Sequence, residues 1–101
     1  MKIEFSYHAK QRMKKRLITE GEILCTLLYG EQFEGKTRFT KEYRYKDFII
    51  IVSERNSKTI IVTCKYTIQF TNRVRYYVKH NDVGFYEALA ILRRSGLQVA
   101  S

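Results

Sequence analysis

TRFTKEYRYKDFIIIVSERNSKTIIVTCKY, residues 37–66, decides the fold class. At its start the apolar residues recur at every second position, the period of a β-strand whose side chains alternate between two faces. In Thr37–Tyr45, Phe39, Tyr43 and Tyr45 share one face; Arg38, Thr40, Glu42 and Arg44 share the other, which is polar throughout. Lys46-Asp47 turns the chain into Phe48–Ser53, apolar on both faces as a central strand is. After the polar loop Glu54–Lys58, a third strand runs from Thr59 to Tyr66. Ile60, Val62, Cys64 and Tyr66 fall on one side of it, and Thr59, Ile61, Thr63 and Lys65 on the other. Three strands joined by short loops make an antiparallel meander.

Upstream the period changes to that of a helix. Ser6–Arg16 contains no Gly or Pro and starts with a good N-cap. Phe5, Ala9, Met13 and Leu17 form an apolar ladder, and beside it His8, Arg12 and Arg16 stand at i, i+4, i+8. A second helix is expected at Thr19–Tyr29, opened by a capping box of Thr19 and Glu22 and ended by Gly30. Its expected apolar stripe is Ile23, Leu24, Leu27 and Leu28. Met1–Phe5 reads as an extended lead-in and residues 31–36 as a polar loop. Residues 67–80 fit a helix capped by Asn72 as well as a strand. Asp82 is expected to cap a last helix, with Phe85, Ala88, Leu89 and Leu92 as its buried stripe and Gly96 as its end. The expected architecture is α+β: two N-terminal helices packed on a small antiparallel sheet of about three strands, with C-terminal helices added. Residues 1–101 would form a single domain, 1–66 its core and 67–101 a helical extension docked on it.

The formal net charge of +9 comes from 19 Lys and Arg against 10 Asp and Glu. Six of the basic residues lie in the first sixteen positions, where Glu4 is the one acid. Such a surface attracts polyanions: RNA, DNA, an acidic protein or anionic lipid. A 45% apolar composition argues against disorder. Cys25 and Cys64 lack C-x-x-C spacing and sit in apolar contexts, so they read as free, buried thiols of a reducing cytoplasm. No metal-ligand cluster, export signal or membrane-spanning run is read; the expectation is a cytoplasmic protein without cofactor or membrane.

Ser6-x-His8-Ala9-x-x-Arg12-Met13-x-x-Arg16, followed by Ile18, Glu22-Ile23 and a closing Ile61-Val-Thr63-Cys-Lys-Tyr66, resembles the DUF4258 family. The resemblance covers roughly residues 3–66. That family of small bacterial and phage proteins is grouped with the barnase–EndoU–colicin–RelE class of ribonuclease folds, which includes toxins of toxin–antitoxin pairs. The resemblance implies metal-independent RNA cleavage in which a base takes the 2′-hydroxyl proton and cations stabilise the charged phosphate. His8 would then transfer the proton, Arg12 would hold the phosphate, and Thr63 would donate to a phosphate oxygen. Lys10, Lys14, Lys15, Arg16, Arg38, Arg44 and Lys65 would bind the nucleic acid. Tyr66 would stack on a base or belong to the core, and Glu42 would be a second proton-transfer group or an ion-pair partner.

Three readings stay open at this point. One is an endoribonuclease acting on RNA or on the ribosome, or a toxin held by an acidic antitoxin. Another is a non-catalytic nucleic-acid-binding module. The third is an inhibitor that meets a protein through its C-terminal helices.

Overall fold

The computed structural model describes the backbone of residues 2–100 and the side chains of residues 2–94. Among the described residues the order is β1 (Lys2–Phe5), α1 (Tyr7–Arg16), α2 (Glu20–Tyr29), β2 (Glu31–Glu34), β3 (Thr40–Tyr45), β4 (Phe48–Arg55), β5 (Lys58–Tyr66), α3 (Ile68–Asn81) and α4 (Phe85–Ala100). These divide into two compact units, Met1–Thr67 and Ile68–Ser101.

In the first unit, the described strands form one sheet of order β1-β5-β4-β3-β2. It is mixed, because β1 runs parallel to β5 while the other neighbours are antiparallel. The expectation of about three antiparallel strands carrying two N-terminal helices is thereby corrected to a five-stranded mixed sheet with four helices. Both additional strands are ones that sequence period does not reveal. β1 is four residues long and pairs with a strand more than fifty residues away, so no turn marks it. β2, Glu-Gln-Phe-Glu, is exposed at all four positions; an edge strand has no need of an apolar face, and charge protects it from further pairing. β3 begins at Thr40 rather than Thr37, because the Thr40 hydroxyl accepts from the Thr37 amide at 3.1 Å and holds the preceding residues in a turn.

The core face carries Phe48, Ile50 and Val52 from β4 and Ile61 and Cys64 from β5; against them lie Ala9 of α1, Ile18 from the α1–α2 link, and Ile23 of α2. Strict alternation would set Ile61 and Cys64 on opposite faces. A β-bulge reconciles them: Ile51 pairs with Thr63 and Val52 with Ile61, so Val62 has no cross-strand partner. The expected partition of β5 into two faces fails at that residue.

Strand β1 passes into α1 through Ser6. Its amide donates to the Ile61 carbonyl at 3.0 Å, and its hydroxyl donates to the Val62 carbonyl at 3.1 Å while accepting from the Ala9 amide at 3.0 Å. Leu17, expected in the apolar ladder, instead ends α1 in a left-handed conformation and is 43% exposed; Ile18 takes the core position. The Thr19–Glu22 capping box is present. Leu24 and Leu28, expected in the buried stripe, are exposed, since Ile23, Thr26 and Leu27 define the inward line and a step of one residue rotates about 100° away. Cys25 shares that outward side, so of the two thiols only Cys64 is buried. Gly30 closes α2 where an added Cβ would stand 2.8 Å from the Arg44 carbonyl oxygen.

In the second unit, α3 begins at Ile68 and buries Phe70 and Val74. Asn72, expected as its cap, is one turn inside it. Asp82, expected to cap α4, has a left-handed backbone just past the end of α3, and the Ala88 amide donates to the Gly84 carbonyl at the start of α4. Ala88 and Leu89 are buried, whereas Phe85 is 42% exposed. The helix continues past Gly96 to Ala100.

Two stability measurements check this architecture. Ser6→Ala removes a cap and the hydroxyl's bond to β5, and should lower unfolding free energy in urea by about 0.5–2 kcal/mol. Asn56 and Ser57 turn β4 into β5 with φ of 51° and 63°, the mirror-image hairpin turn in which Gly is favoured at the second position. Ser57→Gly should therefore raise the same free energy by about 1 kcal/mol.

Candidate functional site

Helix α1 sorts its residues by face. Ala9 and Met13 point to the core, and His8, Arg12 and Arg16 lie along the neighbouring line. The helix runs beside the part of β5 that extends past β1, whose pairing with β5 ends at Ile61. Arg16 is anchored there: its Nη1 donates to the Cys64 carbonyl at 2.6 Å. The Tyr66 hydroxyl donates to the Arg16 carbonyl, and the Tyr66 ring packs 5.8 Å from that of Phe48. Arg16 and Tyr66 thus fix the end of α1 to the sheet.

One turn back, the Arg12 Nε donates to the His8 Nε2 at 3.3 Å, both side chains facing solvent. A guanidinium nitrogen only donates, so Nε2 is the acceptor in this bond. Burial pushes the Cys64 thiol up to about 11, while the Arg16 and then the Arg12 charges pull it back. Cys64 therefore stays protonated at neutral pH, unsuited to act as a nucleophile. Lys10, Lys14 and Lys15 line the outer side of α1 around an open hollow, together with Tyr7, Gln11 and Arg12. The Gln11 amide donates to the Tyr7 hydroxyl at 3.0 Å, a pair that sequence spacing did not single out.

The remaining candidate residues lie elsewhere. Thr63 pairs with Ile51 and Lys65 with Ile49, on the sheet face away from the Ile50–Cys64 core. Among the described residues, no side-chain hydrogen bond joins Thr63 to His8 or Arg12. On that far face Arg44 forms an ion pair with Glu42 at 2.6 Å and lies 4.8 Å over the Phe33 ring. The Glu42 carboxylate is thereby held along its own strand. Lys65 lines a second hollow with Lys36, Thr37, Thr40 and Glu42. Arg38 lies 5.5 Å over the Phe39 ring, and Arg55, a residue not singled out from sequence, lies 4.2 Å over the same ring. Its signal was register: the bond from the Glu54 amide to the Phe39 carbonyl continues the β3–β4 ladder toward Arg38 and Arg55.

The structure therefore unites His8 with Arg12, ties Arg16 and Tyr66 to the frame, and sets Thr63, Lys65, Arg38 and Arg44 apart from them. Among the described residues no three of His, Cys, Asp or Glu converge as metal ligands, and no helix is long and apolar enough to cross a membrane.

No curated protein matches the chain. The sequence profile of DUF4258, described as a domain of unknown function, matches residues 5–74. The match runs eight residues past Tyr66, where the sequence resemblance ended, and so takes in the first half of α3. From the capped start of α1 to that point, most of the chain is covered: the protein belongs to the DUF4258 family.

Proposed function

We propose that the protein binds RNA along α1 and cleaves it, with His8 and Arg12 as the reacting pair. The observation that carries this reading is the Arg12–His8 hydrogen bond on a solvent-facing line of a basic helix. A phosphodiester arriving there offers the guanidinium a better acceptor than an imidazole nitrogen, because it carries a full negative charge and oxygens that fit the planar fork. Arg12 turns to the phosphate and frees Nε2. The freed nitrogen takes the 2′-hydroxyl proton as that oxygen attacks phosphorus. The bond from phosphorus to the 5′ oxygen breaks, and the imidazolium returns a proton to the leaving oxygen. The products are a 2′,3′-cyclic phosphate and a 5′-hydroxyl. Lys10, Lys14 and Lys15 hold the flanking phosphates. Thr63 stands on the other face of the sheet and has no part in this reaction.

A second reading has one observation in its favour. His8 and Lys10 are exposed on a helix surface, open to water. Binding without cleavage needs only that surface.

Two experiments separate these readings. Cleavage of mixed-sequence RNA is measured in EDTA, with 2′,3′-cyclic ends sought in the products. His8→Ala should lower the rate by about 10²–10⁴-fold, and Arg12→Ala by a comparable factor. The double variant should lose less than the product of the two losses, since both groups serve one transition state. Absence of cleavage by the wild-type protein on varied RNAs, with and without ribosomes, leaves the binding module. Affinity for RNA, measured by fluorescence anisotropy, should fall steeply between roughly 50 and 200 mM salt. Lys14→Ala together with Lys15→Ala should make that dependence shallower, lowering the slope of log affinity against log salt by about one for each phosphate the variant no longer holds; a salt-independent affinity would rule out the electrostatic interface.

A further inference from the structure

Phe39 lies in the turn before β3, 42% exposed, with two guanidiniums over its ring. Arg55 is 4.2 Å and Arg38 5.5 Å from the ring centroid. Arg38, in the turn before β3, and Arg55, the last residue of β4, come together at the open end of the β3–β4 hairpin, where like charges repel. Carboxylates nearby are already engaged: Glu54 with Lys41 at 3.2 Å, and Glu4 with Lys2 and Lys58. Among the described residues, neither Arg38 nor Arg55 meets a carboxylate. Each guanidinium is drawn to the Phe39 ring while the two charges repel one another, and an anion bearing a flat ring would neutralise that repulsion.

We infer that Arg38, Phe39 and Arg55 form a stacking clamp for an unpaired nucleotide of single-stranded nucleic acid. The base stacks on the Phe39 ring or on a guanidinium plane, and the guanidinium forks take the adjoining phosphates. A paired base has its faces covered by its neighbours and cannot enter, so the clamp selects single strands. It is separate from α1. Phe39 is level with Glu54 and hence with Thr59 on β5, whereas Arg16 anchors at Cys64, roughly 15 Å farther along the strand. A strand must be several nucleotides long to touch both. The clamp deepens the proposed function by naming its ligand as single-stranded RNA, and it rests on that reading only for the binding of RNA at α1.

The test uses the full chain, a fluorescein-labelled single-stranded RNA of about 12 nucleotides and the same RNA annealed to its complement. Wild type should bind the single strand more tightly than the duplex. Phe39→Ala, which leaves the charge unchanged, should weaken binding of the single strand by about 5- to 150-fold per base stacked. It should leave binding of the duplex, which cannot enter the clamp, within about twofold. Phe39→Tyr should restore binding of the single strand, and Phe39→Leu should not, while circular dichroism verifies that each variant is folded. Arg38→Gln with Arg55→Gln should weaken the single strand and reduce its salt dependence. Equal affinity of wild type, Phe39→Ala and Phe39→Leu for the single strand would overturn the clamp, and so would equal wild-type affinity for single strand and duplex. Loss of cleavage in His8→Ala alongside unchanged binding in Phe39→Ala would remove the clamp and keep the α1 reading. Loss of binding in Phe39→Ala by a protein that cleaves nothing would keep the clamp and remove the catalytic one.

Discussion

The structure of the first unit depends on how the outer edge of β5 is closed. Strand β1 pairs with it only as far as Ile61. Beyond that residue, carbonyls on a buried strand would lack partners, a cost of about 1–3 kcal/mol for each. The chain meets this by changing from strand to helix at Ser6. The Ser6 amide, the Ser6 hydroxyl and the Arg16 guanidinium take the carbonyls of Ile61, Val62 and Cys64 in turn. A helix thus continues the work of an edge strand, held near its two ends. Because both ends are fixed, its rotation is fixed too, and that rotation brings Ala9 and Met13 onto the core while leaving His8 to solvent.

Packing and chemistry are interleaved along this helix at intervals of one residue. Ala9 is fully buried, and a side chain no larger lets α1 lie close to β5. His8, one position earlier, is exposed. Arg16 belongs to both sets, since it lies on the line of His8 and Arg12 and its nitrogen on a strand carbonyl. A lysine there would keep the charge but lose the planar fork. The bulge at Val62 has a comparable double use. It lets Ile61 and Cys64 both reach the core, and it presents the Val62 carbonyl to the Ser6 hydroxyl.

What sequence could show follows from which interactions are local. The Ser6 and Thr19 caps, α1, α2 and the cores of β4 and β5 rest on neighbours within four residues or on unbroken alternation, and they were legible. The parallel pairing of β1, the edge strand β2 and the bulge at Val62 rest on distant partners or on an unpaired residue, so no local period encodes them. Leu24, Leu28 and Cys25 looked buried because they are apolar, yet apolar character alone does not fix the face of a short helix. At the candidate site, the i, i+4 spacing of His8 and Arg12 placed them together correctly. Thr63 was separated from them by sheet geometry, which spacing along the chain cannot express. Arg55 became visible only when cross-strand register brought it over Phe39.

The parallel pairing of β1 with β5 also orders events in time. Lys2–Phe5 has nothing to pair with until residues 58–61 exist, and Ser6 has no carbonyls to hold until Ile61 and Val62 follow. Closing so long a loop precedes any reward from the pairing, which makes such pairings slow. On a growing chain the first helix made is therefore seated after the second, whose partners β3 and β4 precede β5. A nascent or truncated chain that stops short of β5 carries the His8–Arg12 line on an unanchored helix, beside no sheet edge. The seated helix comes into being only when nearly two-thirds of the chain has been synthesised.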